Sequence, residues 1–394
     1  MNILIINSGS SSIKFQVLQM PAETVLCSGI VERIGSEDAI VQYKTSDDKL
    51  EETVPVKTHE DGLQRVVALL LHPEKGVIKN TADIHVVGHR VVHGGNSFSN
   101  TTLINEVVKS EIAQYAALAP LHNPNNLIGI NIAEKLFPTA KQVAVFDTAF
   151  HQTIPEKAHK YAIPEQLYSE QHIQLYGFHG TSHKYVSEKA IAYLGLQQSK
   201  IISIHLGNGC SMTAVINGKS TDHSLGFAPS NGLIMGSRSG DIDHSIIFYL
   251  VNHLGYSLED VNNMLHKESG MLGLTGHADL RDVQREAENG NQACKLALAM
   301  NAYRIKKYIG AYAAAMNGLD AIIFTAGIGE NSSLLRDLVC ADMDFLGIEL
   351  DSVKNEERQQ VLREINTPNA KVKILVIPTN EELEIAKQAY ELLA

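Results

Sequence analysis

Chemistry in this 394-residue chain concentrates in a few short stretches of small and polar residues. Asn7-Ser8-Gly9-Ser10-Ser11-Ser12, with Lys14 just beyond, separates two apolar segments, and Leu206-Gly207-Asn208-Gly209-Cys210-Ser211 does the same later. Ala326-Gly327-Ile328-Gly329-Glu330-Asn331 is a third stretch of this kind. Small residues let a backbone approach an anion closely and turn N–H and hydroxyl donors toward it. One such turn is more often a plain hairpin. Three in one chain, two of them ending apolar strands, bring phosphate level with that plain reading.

Several near matches to other chemistries fail on a specific residue. Gly218-Lys219-Ser220 ends like a Walker A loop, but Thr213 stands where that loop needs its first glycine. Gly327-x-Gly329-x-x-Ser332 lacks the third glycine of a dinucleotide fingerprint and comes late in the chain. His179-Gly180-Thr181-Ser182-His183 sets two histidines four apart, yet Gly180 holds the place of a zincin's glutamate. With no third ligand in view, zinc is not expected, and the pair reads as core histidines or as donors to an oxyanion. His93-Gly94-Gly95 resembles a hydrolase oxyanion loop, but in Gly236-Ser237-Arg238-Ser239-Gly240 an arginine replaces the nucleophilic serine.

Two arginines and two carboxylates stand out. Arg90 sits inside the apolar run His89-Arg90-Val91-Val92-His93, where a guanidinium needs either a structural carboxylate or an anionic ligand. Arg238 sits on a Gly/Ser turn, where an arginine is usually a solvated charge, but its place between the apolar Gly232–Met235 and the acidic Asp241 and Asp243 makes it more informative than that. Asp147 ends an apolar strand, where carboxylates of open α/β sheets commonly face a ligand crevice; an Asx-turn cap is the plainer reading. Glu381 opens the last helix, where its charge complements the macrodipole.

The elements that must position these residues follow from hydrophobic period and turn residues. Ile3–Ile6 and Ile13–Leu18 read as strands around the first turn, and Glu37–Asp61 as edge strands and loops. Asp83–Val92 and Gln142–Phe146 read as further strands, with helices over Val107–Leu118 and after Pro120–Pro124. From about residue 150 the pattern restarts. Strands Ile201–His205 and Met212–Ile216 flank the second turn, and Ala321–Thr325 precedes the third, which leads into a helix through Ser332 and Ser333. A long helix spans Asn291–Asn317 with Gly318 at C′. Thr379 as N-cap and Glu382 at N3 form a capping box for the last helix.

Length predicts two domains, and the repeated strand–turn–strand opening suggests an internal duplication. Net charge is −11, from 33 basic and 44 acidic residues, which argues against a nucleic-acid or anionic-membrane binder. No apolar run approaches the roughly 18–20 residues of a membrane span. Met1–Asn7 reads as a strand and not as a secretory leader, and four scattered cysteines form no disulfide framework. A cytoplasmic protein is expected.

In order and spacing, these stretches resemble the acetate and propionate kinase family from the first strand to the last helix. The carriers are Asn7–Phe15, Gly88-His89-Arg90-Val91-Val92-His93-Gly94-Gly95, Ala119-Pro120-Leu121-His122-Asn123-Pro124, Phe146–His151, Tyr176–His183, His205–Gly209, Met235–Asp241, Gly327–Asn331 and Pro378–Glu382. The resemblance implies two actin-like (ribonuclease H-like) α/β domains with mixed five-stranded sheets around an interdomain cleft. Their bounds are 1–150 with 381–394, and 151–380, the latter with the nucleotide-binding and dimerisation elements. It implies a homodimer and reversible transfer of the ATP γ-phosphoryl group to a short-chain carboxylate, with Mg²⁺ or Mn²⁺.

By the same resemblance Arg90 holds the acyl carboxylate, Asp147 orients the reacting groups, and His179 and Arg238 stabilise the transferring phosphoryl oxygens. Asn7 and Glu381 match the metal positions. Lys14, His205, Leu206, Gly207, Asn208, Gly209, Asp279, Leu280, Arg281, Gly327, Ile328, Gly329, Glu330 and Asn331 match nucleotide contacts. Val92, Leu121, Phe178 and Pro229 match the pocket for the acetate methyl, where a valine at 92 keeps the pocket short. Departures from the family pattern are His223, Ser230-Asn231, His244 and Gly276-His277. They bear on acyl-chain preference, with propionate as the rival substrate. A nucleotide-dependent ATPase or sensor on the same fold is the reading from another class.

Overall fold

The computed structural model describes residues 1–120 and 122–394, so the expected pocket residue Leu121 lies outside the described residues. The chain forms two units, Met1–Gln152 with Asn380–Ala394, and Thr153–Thr379.

The first unit is built on eight strands: β1 (Asn2–Ser8), β2 (Ser12–Gln19), β3 (Thr24–Glu32), β4 (Ser36–Lys44), β5 (Lys49–Val56), β6 (Val86–Val91), β7 (Thr102–Leu103) and β8 (Lys141–Phe146). They are ordered β5-β4-β3-β2-β1-β6-β8-β7. Ile3, Leu4, Ile5 and Ile6 are all buried, as a strand covered on both faces requires. β1 runs antiparallel to β2 and parallel to β6, and β6 runs parallel to β8. On one face Leu4 and Ile6 share a core with Leu63, Val66 and Leu70 of helix His59–Leu70 and with Ile132 and Ala133 of helix Asn123–Leu136. Helix Glu381–Leu393 also packs on β1 and β6. Gly88 permits that approach: a Cβ there would lie 3.0 Å from Ile385 Cγ2 and 2.9 Å from Ile5 Cδ1.

The second unit has six strands: β9 (Lys200–Leu206), β10 (Cys210–Ile216), β11 (Lys219–His223), β12 (Ala321–Thr325), β13 (Arg363–Glu364) and β14 (Lys373–Val376). Their order is β11-β10-β9-β12-β14-β13. Helix Gln292–Met316 packs on β9 and β10, burying Leu298, Ala302, Ile305, Ile309 and Met316 along one helical stripe.

Both sheets are mixed, as expected, but neither is five-stranded. A five-strand core recurs in each, β3-β2-β1-β6-β8 and β11-β10-β9-β12-β14, with the same succession of two antiparallel and then two parallel pairings. The added strands lie outside that core, with β5, β7 and β13 as edges. β4 and β5 come from the charged Glu37–Asp61 stretch, and β7 and β13 are two residues each. Edge strands are half-solvated and carry polar residues and proline, so their sequence signal is weak.

Local readings also shift. The first two phosphate-type turns are only Gly9–Ser11 and Gly207–Gly209, because the strands continue through Ser8, Ser12, Leu206 and Cys210. Ala326–Asn331 is not an open turn but a one-and-a-half-turn helix, entered through Ala326 at φ 65°. The long helix ends with Asn317, not a glycine, taking the left-handed conformation (φ 53°). The last helix is capped by Asn380, whose side-chain oxygen accepts the Leu383 N–H at 3.0 Å. Thr379 is drawn off by other partners: its N–H donates to Glu330 Oε1 (3.1 Å), and its hydroxyl lies 2.8 Å from Ser182 Oγ. Replacing Asn380 with Ala therefore removes the cap and should cost about 1 kcal/mol. In calorimetry this is a fall of about 2–4 °C in the unfolding midpoint of the first unit; an unchanged midpoint would contradict the assignment.

Candidate functional site

In the first unit the parallel register of β1, β6 and β8 brings their carboxyl ends to one edge of the sheet. Asn7, Arg90 and Asp147 stand there, one from each strand or its end. Arg90 makes a two-pronged ion pair with Asp147: Nε donates to Oδ1 at 3.1 Å, and Nη2 donates to Oδ2. Its Nη1 reaches Asn7 Oδ1 at 3.5 Å, and Glu381 Oε2 lies 3.8 Å from Nε. The partner required by a strand arginine is thus a carboxylate 57 residues away, itself only 1% exposed. Burial opposes the Arg90 charge, but Asp147 and Glu381 more than offset it and raise the pKa. Glu381 is driven the other way. Burial pushes its carboxyl up to about 7, with Asp147 and Glu382 adding to the shift against the pull of Arg90.

Lys14 on β2 pairs with Glu382 at 2.5 Å and lines a hollow of about 360 Å³ on the same unit. Val92, just beyond β6, is buried and donates its N–H to Asn126 Oδ1 at 3.1 Å. Beside Arg90, His89 Nε2 bonds to Gln142 Oε1 at 2.8 Å, and burial pushes this histidine down to about 4.

The second unit holds the other group. His179, with left-handed φ 56° and ψ 27°, precedes helix Gly180–Leu194. A non-glycine residue rarely adopts this backbone unless its surroundings hold it there. Its ring stacks on His205 of β9, centroids 4.4 Å apart, and its Nδ1 lies 2.8 Å from Ser211 Oγ of β10. Gly209 fits under this ring, since a Cβ there would lie 3.3 Å from His179 Cε1.

A cavity of about 370 Å³ opens beside the turn Gly207–Gly209. Its lining includes Gly207, Asn208, Asp279, Leu280, Arg281, Gly327, Ile328 and Asn331, all expected nucleotide contacts, together with Gln284 and Ser332. These last two were not foreseen. Gln284 lies one helical turn after Leu280 and donates to Ser332 Oγ, which ties helix Leu280–Glu288 to helix Ser333–Cys340; the i, i+4 spacing was the available signal. Asp279 caps helix Leu280–Glu288, accepting the Arg281 N–H at 2.8 Å, and the Arg281 side chain holds its carboxyl down to about 2. His205, Leu206, Gly329 and Glu330 do not line this cavity. Leu206 is buried, Gly329 packs against the Phe324 backbone, and Glu330 accepts the Thr379 N–H.

Arg238 donates from Nη1 to the Pro229 carbonyl at 2.7 Å, and burial lowers its pKa. Asp241 does not pair with it. Instead Asp241 accepts the Gly232 N–H (2.7 Å) and the Tyr308 hydroxyl (2.7 Å), while Arg304 donates to the Gly232 carbonyl (2.8 Å). The Arg238 loop is thereby anchored to helix Gln292–Met316. Phe178 is buried, and His223 fixes it in place. The Leu225 N–H donates to His223 Nδ1 (2.8 Å), so the proton is on Nε2, which donates to the Phe178 carbonyl (2.8 Å).

Two mixed sheets sharing one five-strand order, with small-residue turns at strand ends, define an α/β protein of two similarly built units. Residues 2–387 match the model described as the acetokinase family, and the chain belongs to that family. It is 64% identical to the acetate kinase of Flavobacterium johnsoniae, covering all of both chains. The crystal structure of Porphyromonas gingivalis acetate kinase superposes with a TM-score of 0.94 at 42% identity, covering all of both chains. A propionate kinase from Francisella tularensis gives 0.92 at 42% identity over 99% of each. ATP and ADP follow from the family as co-substrates, alongside a small-molecule acceptor. Among the described residues, no helix is long and apolar enough to cross a membrane.

Burial also pushes His223 down to about 3. Unfolded histidine titrates near 6.5, so between these values the unfolded chain binds the extra proton. The stabilisation is complete above pH 6.5 and is lost as pH falls toward 4 for His89 and toward 3 for His223. Each contributes a slope of about 1.4 kcal/mol per pH unit in its window. Unfolding midpoints should therefore fall between pH 6.5 and 4.5, and His89→Gln should make that fall shallower for the first unit. A slope unchanged in the variant would refute the buried neutral state.

Proposed function

We propose that the chain transfers the γ-phosphoryl group of ATP to acetate, reversibly and by direct in-line displacement, giving acetyl phosphate and ADP. The observation that carries this reading is the grouping of Arg90, Asp147, Asn7 and Glu381 at one sheet edge, in a chain of the acetokinase family. A fixed guanidinium fork suits a carboxylate substrate. Phosphoryl transfer asks mainly for positioning and charge stabilisation.

In this reading Arg90 binds the acyl carboxylate and Asp147 holds that guanidinium in place. His179 and Arg238 donate to the oxygens of the transferring group, and the 370 Å³ cavity receives the nucleotide. Asn7 Oδ1 and the Glu381 carboxylate are oxygen donors of the kind Mg²⁺ takes, in a neighbourhood where three carboxylates (Asp147, Glu381, Glu382) meet two cations (Arg90, Lys14). Among the described residues no three His, Cys, Asp or Glu side chains could hold a metal by themselves. This fits an ion that shares its shell with phosphates and water. Bound there, Mg²⁺ supplies screening of phosphate charge.

The acetate methyl would sit against Val92, Phe178 and Pro229. The likeness to a propionate kinase makes propionate the second reading. A homodimer is supported by helix Ser245–Leu254, which is apolar yet buries none of its residues and exposes Phe248 and Tyr249. Four buried free thiols suit a reducing cytoplasm.

Acyl phosphate trapped as the hydroxamate, across formate to butyrate, tests the reaction. The highest kcat/KM is expected with acetate, and Arg90→Ala and His179→Ala should each lower turnover by about 10²–10³. Carboxylate-independent ATP hydrolysis without acyl phosphate would favour an ATPase. Val92→Ala should raise the propionate-to-acetate ratio by about tenfold or more; an unchanged ratio would remove Val92 from the pocket. Phe248→Glu should shift the sedimentation coefficient to that of a monomer, and a persistent dimer would place the interface elsewhere.

A further inference from the structure

Ser211 holds two imidazoles at once. Its Oγ lies 2.8 Å from His179 Nδ1 and 2.8 Å from His183 Nε2, and His183 Nδ1 lies 2.8 Å from Ser203 Oγ. Ser203, His183 and Ser211 are all fully buried. Four groups are therefore linked in series by three hydrogen bonds. A hydroxyl has one proton to donate and a neutral imidazole has one N–H, so the series runs in one of two directions unless Ser211 accepts from both rings, which would leave its own buried proton without an acceptor.

If His179 donated from Nδ1, Ser211 would donate to His183 Nε2 and His183 would donate from Nδ1 to Ser203. The Ser203 hydroxyl proton would then be left over, and among the described residues Ser203 makes no other side-chain hydrogen bond. A buried donor without an acceptor is costly. In the opposite direction Ser203 donates to His183 Nδ1, His183 donates from Nε2 to Ser211, and Ser211 donates to His179 Nδ1. Every proton in the series is then used. His179 Nδ1 is an acceptor, and its N–H must sit on Nε2. The ring edge carrying Nε2 lies against Gly209, where an added Cβ would be 3.4 Å away, in the turn beside the nucleotide cavity.

We infer that Ser203, His183 and Ser211 form a one-way donor chain that holds His179 as a neutral Nε2–H donor, which makes Ser211 a positioning residue for phosphoryl transfer. The part concerning turnover rests on the proposed role of His179. A neutral donor serves anionic phosphoryl oxygens above the usual histidine pKa, so turnover does not require an imidazolium. The groups facing this pair are histidines, a thiol and more distant charges. His205 stacks on His179, and His223 meets His183 edge-on with centroids 5.3 Å apart. Cys210 precedes Ser211 with its thiol pushed up to about 12 by burial, and Arg238 acts on that thiol electrostatically. Glu330 is joined to His205 through Thr379 and Ser182.

The direct measurement is a long-range ¹⁵N–¹H spectrum of histidine-labelled, substrate-free wild-type protein. His179 is expected as the Nε2–H tautomer through pH 7–8, and a predominant Nδ1–H tautomer would overturn the inference whatever the substrate proves to be. Ser211→Ala adds the kinetic arm. It should lower kcat about 10–100-fold at pH 7.5 with little change in KM. The deficit should narrow near pH 5.5, where an imidazolium carries both protons, and Ser211→Thr should restore most of the activity. A pH–kcat profile for Ser211→Ala parallel to wild type would reduce Ser211 to packing. Loss of acetate activity in wild type, with the tautomer as expected, would overturn the proposed function and leave the donor chain standing.

Discussion

A guanidinium on a buried strand has to be neutralised where it stands, and Asp147 does this for Arg90 with two parallel hydrogen bonds. The rest of the first unit follows from that need. β6 and β8 must be parallel neighbours for the two residues to meet, which requires the helical crossover Asn123–Leu136 between them. β1 must lie on the other side of β6 so that Asn7 closes the group, and the last helix must return to β6 so that Glu381 arrives as well. Gly88 gives that helix its room. The outcome is a pair of opposite charges with a third, strained carboxyl beside it, a setting whose charge balance a bound anion and cation would alter.

The second unit handles polar burial with neutral groups. His183, His205 and His223 are buried, and hydroxyls and backbone bond their ring nitrogens: Ser203 and Ser211, Ser182, and the Phe178 carbonyl with the Leu225 N–H. Taking a histidine cation out of water is costly, and hydroxyl partners satisfy the ring without requiring the charge. Arg238 is held in the same manner, on the Pro229 carbonyl, by a loop that Asp241, Arg304 and Tyr308 fasten to the long helix. One unit thus presents paired charge and the other presents oriented donors.

Much of this was legible in the residues. Small-residue turns, apolar strands and the long helix are written in local composition and period, because they depend on neighbours one to four positions away. The same locality explains the errors. Thr379 satisfies the pattern of a cap, but Glu330 and Ser182, distant in sequence, compete for it, and Asn380 caps instead. The third glycine-rich stretch looks like a turn, yet it folds as a helix packed beneath the end of β12. The two-residue edge strands β7 and β13 escaped because so short a segment shows no apolar period.

By itself the sequence determined the α/β class, the three small-residue stretches, the family, and which residue types could carry phosphate chemistry. Each is set by local spacing or by many short matches in fixed order. Only the tertiary structure decided that Arg90 has a carboxylate partner, that Asp241 ties its loop to Tyr308 instead of pairing with Arg238, and that Ser211 joins two histidines. Those pairings span tens of residues. A buried polar group takes whichever partner the fold brings within 3 Å, and nothing in local composition specifies that choice.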